Sequence, residues 1–309
     1  MAVLTVIPEE MDAVIAVLGA DREAGYTGAM TSAAALCSGL DALPFVVARC
    51  DERSNGPAGS SARQLLESWR PETIILTGIA GGIRRTESDP TGGIKLDDGP
   101  ELGDVVIAEM IHFGDYGKDL PSGFLPRWFP LVHPPTSLVR RHTEALRLTT
   151  NWANELADQR PDSTGVPKVW TGELVAVEAV AGNPFAPRQQ AILNYFDKAI
   201  AIDMESMGVA RMLHDYEADV GVHYHPRWLC IRGISDLVVG SDDAVALLDE
   251  GDNNAQRTQW KGYSAHTAAL VTKIILDRLL QQPLPPYPAQ PGVPPWNASA
   301  SPSIDRVGP

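Results

Sequence analysis

Residues 45–77 read FVVARCDERSNGPAGSSARQLLESWRPETIILT, and this stretch decides the fold. Phe45–Cys50 is an apolar run of strand length. Ala58, Ala62, Leu65, Leu66 and Trp69 then recur at helical spacing, and Thr73–Thr77 is a second apolar run. Strand, helix and strand in that order predict an α/β sheet covered by helices. Toward the N-terminus, Val3–Ile7 reads as another strand. Pro8 follows at the favoured first position of a helix, with Glu9 and Glu10 near its positive end.

Toward the C-terminus, Gly78-Ile79-Ala80-Gly81-Gly82 leaves the strand and opens into a polar stretch, residues 84–93, expected to be a loop. A strand is expected at Asp104–Ile111, and Pro121–Pro135 reads as irregular but partly packed. Helical patterns cover about Thr136–Leu156 and Pro187–Tyr195, with strands near Val169–Val177 and Ala199–Ile202. Met204–His214 is helical, Trp228–Arg232 is a strand, and Gly262–Leu280 is a closing helix in which Tyr263, Thr267, Leu270 and Ile274 share a face. One domain over 1–280 is expected. Beyond it, 281–309 is proline-rich, lacks a core-forming pattern and reads as an extended tail or linker.

Bulk properties narrow the function. The chain has 309 residues, 44% of them hydrophobic, which is enough for a large core. A net charge of −14 argues against nucleic acid or an anionic membrane as the main partner, since both select clustered Lys and Arg. No apolar run approaches the ~20 residues of a membrane span. The N-terminus lacks the basic segment of a secretory signal, so a cytoplasmic protein is expected. Cys37, Cys50 and Cys230 are far apart, with no partner at ligand spacing; neither a disulfide framework nor a metal site is expected.

Four stretches place polar or glycine residues at the ends of apolar strands, where open α/β sheets hold their ligands. In Ile7-Pro8-Glu9-Glu10 a carboxylate can orient a water, or the acids simply complement the helix dipole. Thr77–Gly82 permits close backbone approach to a planar ligand, or is a plain turn; it has neither the spacing of a dinucleotide fingerprint nor a phosphate-loop lysine. Asp203-Met204-Glu205 sets two acids between strand and helix. One reading is a carboxylate facing a ribose diol, the other a helix cap by Asp203 with Glu205 exposed. Arg232-Gly233-Ile234-Ser235-Asp236 carries an arginine within a strand and an acid at its exit, either a proton donor or a turn.

Together, in this order and at these separations, the four stretches resemble the nucleoside phosphorylase and nucleosidase family, especially its methylthioadenosine/S-adenosylhomocysteine nucleosidases. ThrGlyIleAlaGlyGly resembles the family's glycine segment and LeuGlyAspValValIle, 102–107, the strand after it. IleAspMetGluSerMetGlyValAla resembles its ribose-binding segment and ArgGlyIleSerAsp its catalytic loop. The likeness runs from about Val3 to Leu280. It implies a three-layer α/β/α fold around a central mixed, twisted sheet, no cofactor, and a homodimer acting on a small nucleoside or nucleotide.

The resemblance also implies roles. Asp236 matches the acid that protonates purine N7, with Ser235 supporting it. Glu10 matches the acid that orients the attacking water, and Arg232 an arginine near that water. Met204 and Glu205, beside Asp203, match the ribose contacts; Ile79, Ala80 and Gly81 match the glycine segment at the substrate. Val180 and Ala181 fall where the family lines the base pocket, often with an aromatic residue absent here. Phe113, within His112–Lys118, falls in the region that reaches a 5′ substituent. Aromatic side chains there suit a thioether, whereas Lys118, Arg127 and Arg140 suit phosphates. Leu76 and Ile79 stand where many phosphorylases carry a phosphate-binding arginine and serine, so water is the expected nucleophile. The expected reaction is hydrolysis of a purine, chiefly adenine, N-glycosidic bond. A phosphate-dependent phosphorylase and a non-catalytic nucleotide-binding module of a signalling or defence protein are the alternatives.

Overall fold

Strand β1 (Ala2–Thr5) lies between β3 (Phe45–Arg49) and β4 (Thr73–Arg84), parallel to both, with Val3 opposite Val47 on one side and Ile75 on the other. Every residue of β1 and β4 is buried, as expected for central strands covered on both faces. A computed structural model supplies this arrangement; it describes residues 1–19, 35–37, 45–129, 140–156, 158–163, 165–179, 186–218, 226–239 and 253–281.

The main sheet has eight strands in the order β11-β10-β7-β12-β4-β1-β3-β2, where β2 is Ala35–Cys37, β7 Val105–Phe113, β10 Val169–Ala176, β11 Ala199–Asp203 and β12 Arg227–Val239. Most neighbours are parallel, but β12 runs antiparallel to β7 and β2 to β3, so the sheet is mixed. The first half of β4 pairs with β1, whereas Gly81 and Gly82 near its end pair with Ile202 and Ala201 of β11. This second pairing curls the sheet and brings the ends of β4, β11 and β12 together.

Helices α1 (Pro8–Leu18) and α6 (Asn253–Gln281) pack against each other over β4 and β12. Helices α2 (Asn55–Trp69) and α5 (Ser206–Ala218) pair in the second helical layer, giving a three-layer α/β/α fold. Two glycines make the close approaches possible. A Cβ on Gly233 of β12 would lie 1.9 Å from the Ser264 carbonyl oxygen of α6, and one on Gly208 of α5 1.8 Å from that of Asn55 in α2. At the first contact the Ser264 hydroxyl donates to Ile234 O at 2.7 Å; at the second the Gly208 amide donates to Asn55 Oδ1 at 3.0 Å.

Several expected boundaries move. The stretch 84–93 is not a plain loop: β5 (Thr86–Ser88) pairs with β6 (Ile94–Leu96), on a base where the Arg85 guanidinium donates to the Leu193, Phe196 and Ala199 carbonyls. Gly123, at φ +122°, turns β8 (Gly117–Leu120) into β9 (Gly123–Pro126), where irregular chain was expected from Pro121. The helix expected from Thr136 is described only as α3 (Arg140–Arg147), followed after Thr149 and Thr150 by a 3₁₀ turn at Asn151–Glu155. Thr149 bonds back to the Ala145 carbonyl, a competition for backbone acceptors that weakens helix continuation. β12 continues through Val239 and α6 begins at Asn253, earlier than its apolar periodicity indicated; α4 (Pro187–Tyr195) is as expected. The proline-rich segment from 282 onward lies outside the described residues, and no described helix is long and apolar enough to cross a membrane.

Candidate active site

Glu10 is held by the turn that converts β1 into α1. Its Oε2 accepts the Val6 amide at 2.7 Å and the Ile7 amide at 3.1 Å, and its Oε1 accepts the Ile79 amide of β4 at 2.9 Å. The carboxylate is therefore shared by the tip of β1 and the middle of β4 and is 3% exposed. Burial raises its pKa, against the pull of Arg232 and the three amides. Gly78 is required beside it, since a Cβ there would sit 2.5 Å from both Glu10 Oε1 and Arg232 Nη1.

Arg232 is fully buried in β12. Its Nη2 donates to Asp203 Oδ2 and, at 3.3 Å, to Glu205 Oε2; its Nε and Nη1 find no hydrogen-bond acceptor among the described residues. Burial opposes its charge, but the carboxylates, Asp203 foremost, outweigh that and raise its pKa. Asp203 meanwhile accepts the Ser206 amide at 3.3 Å and hydroxyl at 2.7 Å through Oδ1. It thus bonds the first residue of α5 and serves as counter-ion to Arg232. Glu205 is not exposed as in the capping alternative: it is 7% exposed and accepts the Ser54 amide at 3.4 Å.

One guanidinium faces Asp203, Glu205 and Glu10, so negative charge is in excess. Glu205 carries the consequence: burial, with Asp203 and Glu10 adding to it against Arg232, pushes its pKa up to about 7. A carboxyl whose folded pKa is raised favours folding in its protonated form, so its stabilisation is complete below the unfolded value near 4.5 and lost as pH rises through about 7. The thermal stability of the wild type is therefore expected to fall from pH 5 to pH 8, and Glu205→Gln to flatten that slope. An equally steep slope in the variant contradicts this placement of Glu205.

Asp236 owes its aim to a bulge. The β12–β4 register passes from Ile234 opposite Ala80 to Asp236 opposite Gly81, leaving Ser235 without a partner. The Ser235 hydroxyl donates to Asp236 Oδ1 at 2.6 Å and approaches Ala80 O at 3.5 Å. Burial raises the Asp236 pKa, while Ser235, the Arg257 charge and Asn253 draw it down. A half-buried acid held by a hydroxyl can give up a proton to a ligand in a way an exposed turn residue cannot.

Glu10, Glu205 and Asp236 line one cavity. Ile79, Ala80, Gly81, Asp203, Met204 and Ser235 complete the expected set around it, with Arg232 close behind. Phe113 is not brought there. It lines a separate groove between α2 and α5, edge-on to Phe129. Val180 and Ala181 lie outside the described residues, as does the side chain of Arg140; Lys118 and Arg127 are exposed. The sequence reading missed Arg53 and Arg257, both of which line the cavity. Arg53 follows the tip of β3, a position the strand-end rule covers, whereas Arg257 lies ahead of the expected start of α6 and carried no signal. Among the described residues, no group of three or more His, Cys, Asp or Glu is placed to hold a metal ion.

Residues 1–275 match the family described as the phosphorylase superfamily. The ATP nucleosidase Cap17 of Escherichia coli strain KTE188 is 27% identical over 205 residues, covering 62% of this chain and 36% of that protein. The chain thus spans only about a third of that relative. A 5′-methylthioadenosine/S-adenosylhomocysteine nucleosidase of Listeria innocua is 24% identical over 189 residues, covering 60% of this chain and 65% of the relative. Among solved structures, the nucleosidase of that name from Neisseria meningitidis, complexed with methylthio-immucillin-A, superposes with a TM-score of 0.64 at 16% identity, covering 90% of this chain and 98% of its own. Futalosine hydrolase of Helicobacter pylori superposes at 0.60, also at 16% identity, covering 90% and 97%.

Proposed function

The chain belongs to the phosphorylase superfamily, and from that premise we propose that it hydrolyses the N-glycosidic bond of a purine nucleoside or nucleotide, with adenine as the favoured base. One observation carries the reading: Glu10 from the first turn of α1, Glu205 from the β11–α5 junction and Asp236 from the bulge in β12, all distant in sequence, line a single cavity. Residues 1–280 form the catalytic unit in this reading, with 281–309 as an appended tail.

Each carboxylate has a task. Asp236 donates its proton to purine N7, so that the C1′–N9 electron pair leaves with the base. Glu205, beside Met204, accepts hydrogen bonds from the ribose hydroxyls. Glu10 takes a proton from the water that adds to C1′, and the products are free base and the ribose moiety. Positive charge developing on the sugar ring is stabilised by carboxylates already in place. Arg232 keeps Glu205 and Asp203 together, and Ser235 orients Asp236.

Water is favoured over phosphate because Arg232, the buried cation beside Glu10, is committed to Asp203 and Glu205, and because Leu76 and Ile79 offer no side-chain donor. The relatives named as nucleosidases or hydrolases support the same choice. The full-length chain is expected to release adenine from at least one of methylthioadenosine, S-adenosylhomocysteine, adenosine and ATP, at a rate independent of inorganic phosphate, when products are separated by chromatography. Phosphate-dependent release with ribose 1-phosphate as product would make it a phosphorylase. Binding without turnover would make it a non-catalytic module.

A further inference from the structure

The cavity floor is rich in acid, with Glu10, Asp203, Glu205 and Asp236 set against the single buried cation Arg232. A substrate carrying further negative charge would be repelled there unless cations met it at the mouth. Two do line the cavity: Arg53 is exposed and Arg257 half-buried. Neither forms an ion pair or hydrogen bond among the described residues, unlike Lys261, one turn beyond Arg257, which is taken by Glu9. Arg53 is flanked by Asp51 and Glu52, and neither acid lines the cavity.

Position links Arg53 to the sugar end. Its neighbour Ser54 donates its backbone amide to Glu205, the residue assigned to the ribose hydroxyls. A ribose held by Glu205 would therefore have Arg53 one residue from the contact that holds that carboxyl. Glu9, at the start of α1, feels the Arg53 charge and is bonded to Lys261, which ties Arg53, α1 and the Arg257 face of α6 into one rim. Lys118 and Arg127 do not line this cavity, so they are not the counterpart of a substrate bound in it.

Resting on the N-glycosidase reading, we propose that Arg53, with Arg257 as a second donor, forms an anion-binding rim that takes the 5′-phosphate of the substrate, making this enzyme selective for purine nucleotides over nucleosides. Guanidinium groups suit the task because they present forked donors to phosphate oxygens and remain charged at every working pH. A charge-assisted contact of this kind contributes roughly 10- to 100-fold in affinity.

The test compares adenosine and guanosine with their 5′-mono-, di- and triphosphates on the full-length wild type, Arg53→Ala and Arg53→Lys. Base release is read as kcat/KM, and calorimetric affinity is measured in an Asp236→Asn background so that ligand is not consumed. The expected result is a preference of at least roughly 10-fold for the phosphorylated series, largely lost in Arg53→Ala and partly kept in Arg53→Lys, with nucleotide cleavage falling far more than nucleoside cleavage. Equal handling of nucleoside and nucleotide by the wild type, or equal losses for both in Arg53→Ala, overturns the rim. So does base release driven by inorganic phosphate that Arg53→Ala abolishes, since the arginines would then hold the nucleophile. If no base is released from any compound, the N-glycosidase reading fails, and the affinities alone decide whether the rim binds phosphate.

Discussion

Asp236→Asn is expected to lower base release by about 10²- to 10⁴-fold, the range contributed by a positioned general acid, with the fold unchanged. An asparagine amide keeps the shape and can still donate a hydrogen bond to a purine nitrogen, but it cannot transfer the proton that lets the C1′–N9 pair depart. The substitution costs little stability, because burial already disfavours the charge on Asp236. Loss of kcat with KM nearly constant is the signature, since the interaction removed develops in the transition state. The raised pKa adds a sign: the acid is active while protonated, so kcat should fall as pH rises through its folded value. Turnover by Asp236→Asn within a few-fold of the wild type would remove Asp236 from the chemistry.

The largest stability effect is expected at Arg232. Arg232→Met retains the length and apolar stem of the side chain but leaves Asp203, Glu205 and Glu10 facing one another without a cation in a fully buried setting. Breaking a buried ion pair from one side costs about 3–5 kcal/mol, because the remaining charge has no compensation. Urea unfolding at pH 7.5 should show this loss, and at pH 5, where Glu205 is protonated in the fold, the variant should recover part of it. A loss below about 1 kcal/mol at pH 7.5 would mean that the carboxylates do not depend on Arg232. Activity should fall with it, since the ribose-facing carboxyl is positioned by this guanidinium.

The outcome at each of the four stretches shows where local reading stops. The placement of Glu10 and Glu205 just beyond strand ends follows from apolar run length alone, whereas Gly78 and Asp236 lie within strands that continue to Arg84 and Val239. The distances between these residues do not follow from it, since Glu10 and Asp236 are separated by most of the chain. Asp203 and Glu205, two positions apart in the sequence, diverged into a carboxylate bonded to Arg232 and Ser206 and a carboxyl raised by burial. That division depends on which residues stand across the sheet. Phe113 followed the same logic in reverse, since the end of β7 points into the groove between α2 and α5 instead of the acid-lined cavity.

Alternating apolar runs and helical periodicities, which report local burial, were enough to determine a covered α/β sheet and the order of its main elements; composition set the strong negative charge, and glycosidic chemistry followed only from the resemblance of the four stretches to a known family. Only the tertiary structure decided that β4 pairs with both β1 and β11, that Ser235 bulges to aim Asp236, and that Arg53 and Arg257 line the same cavity as the acids. The physical reason is that a side chain's pKa, partner and direction are set by groups that reach it through space, and strand pairing, not sequence neighbourhood, determines which groups those are.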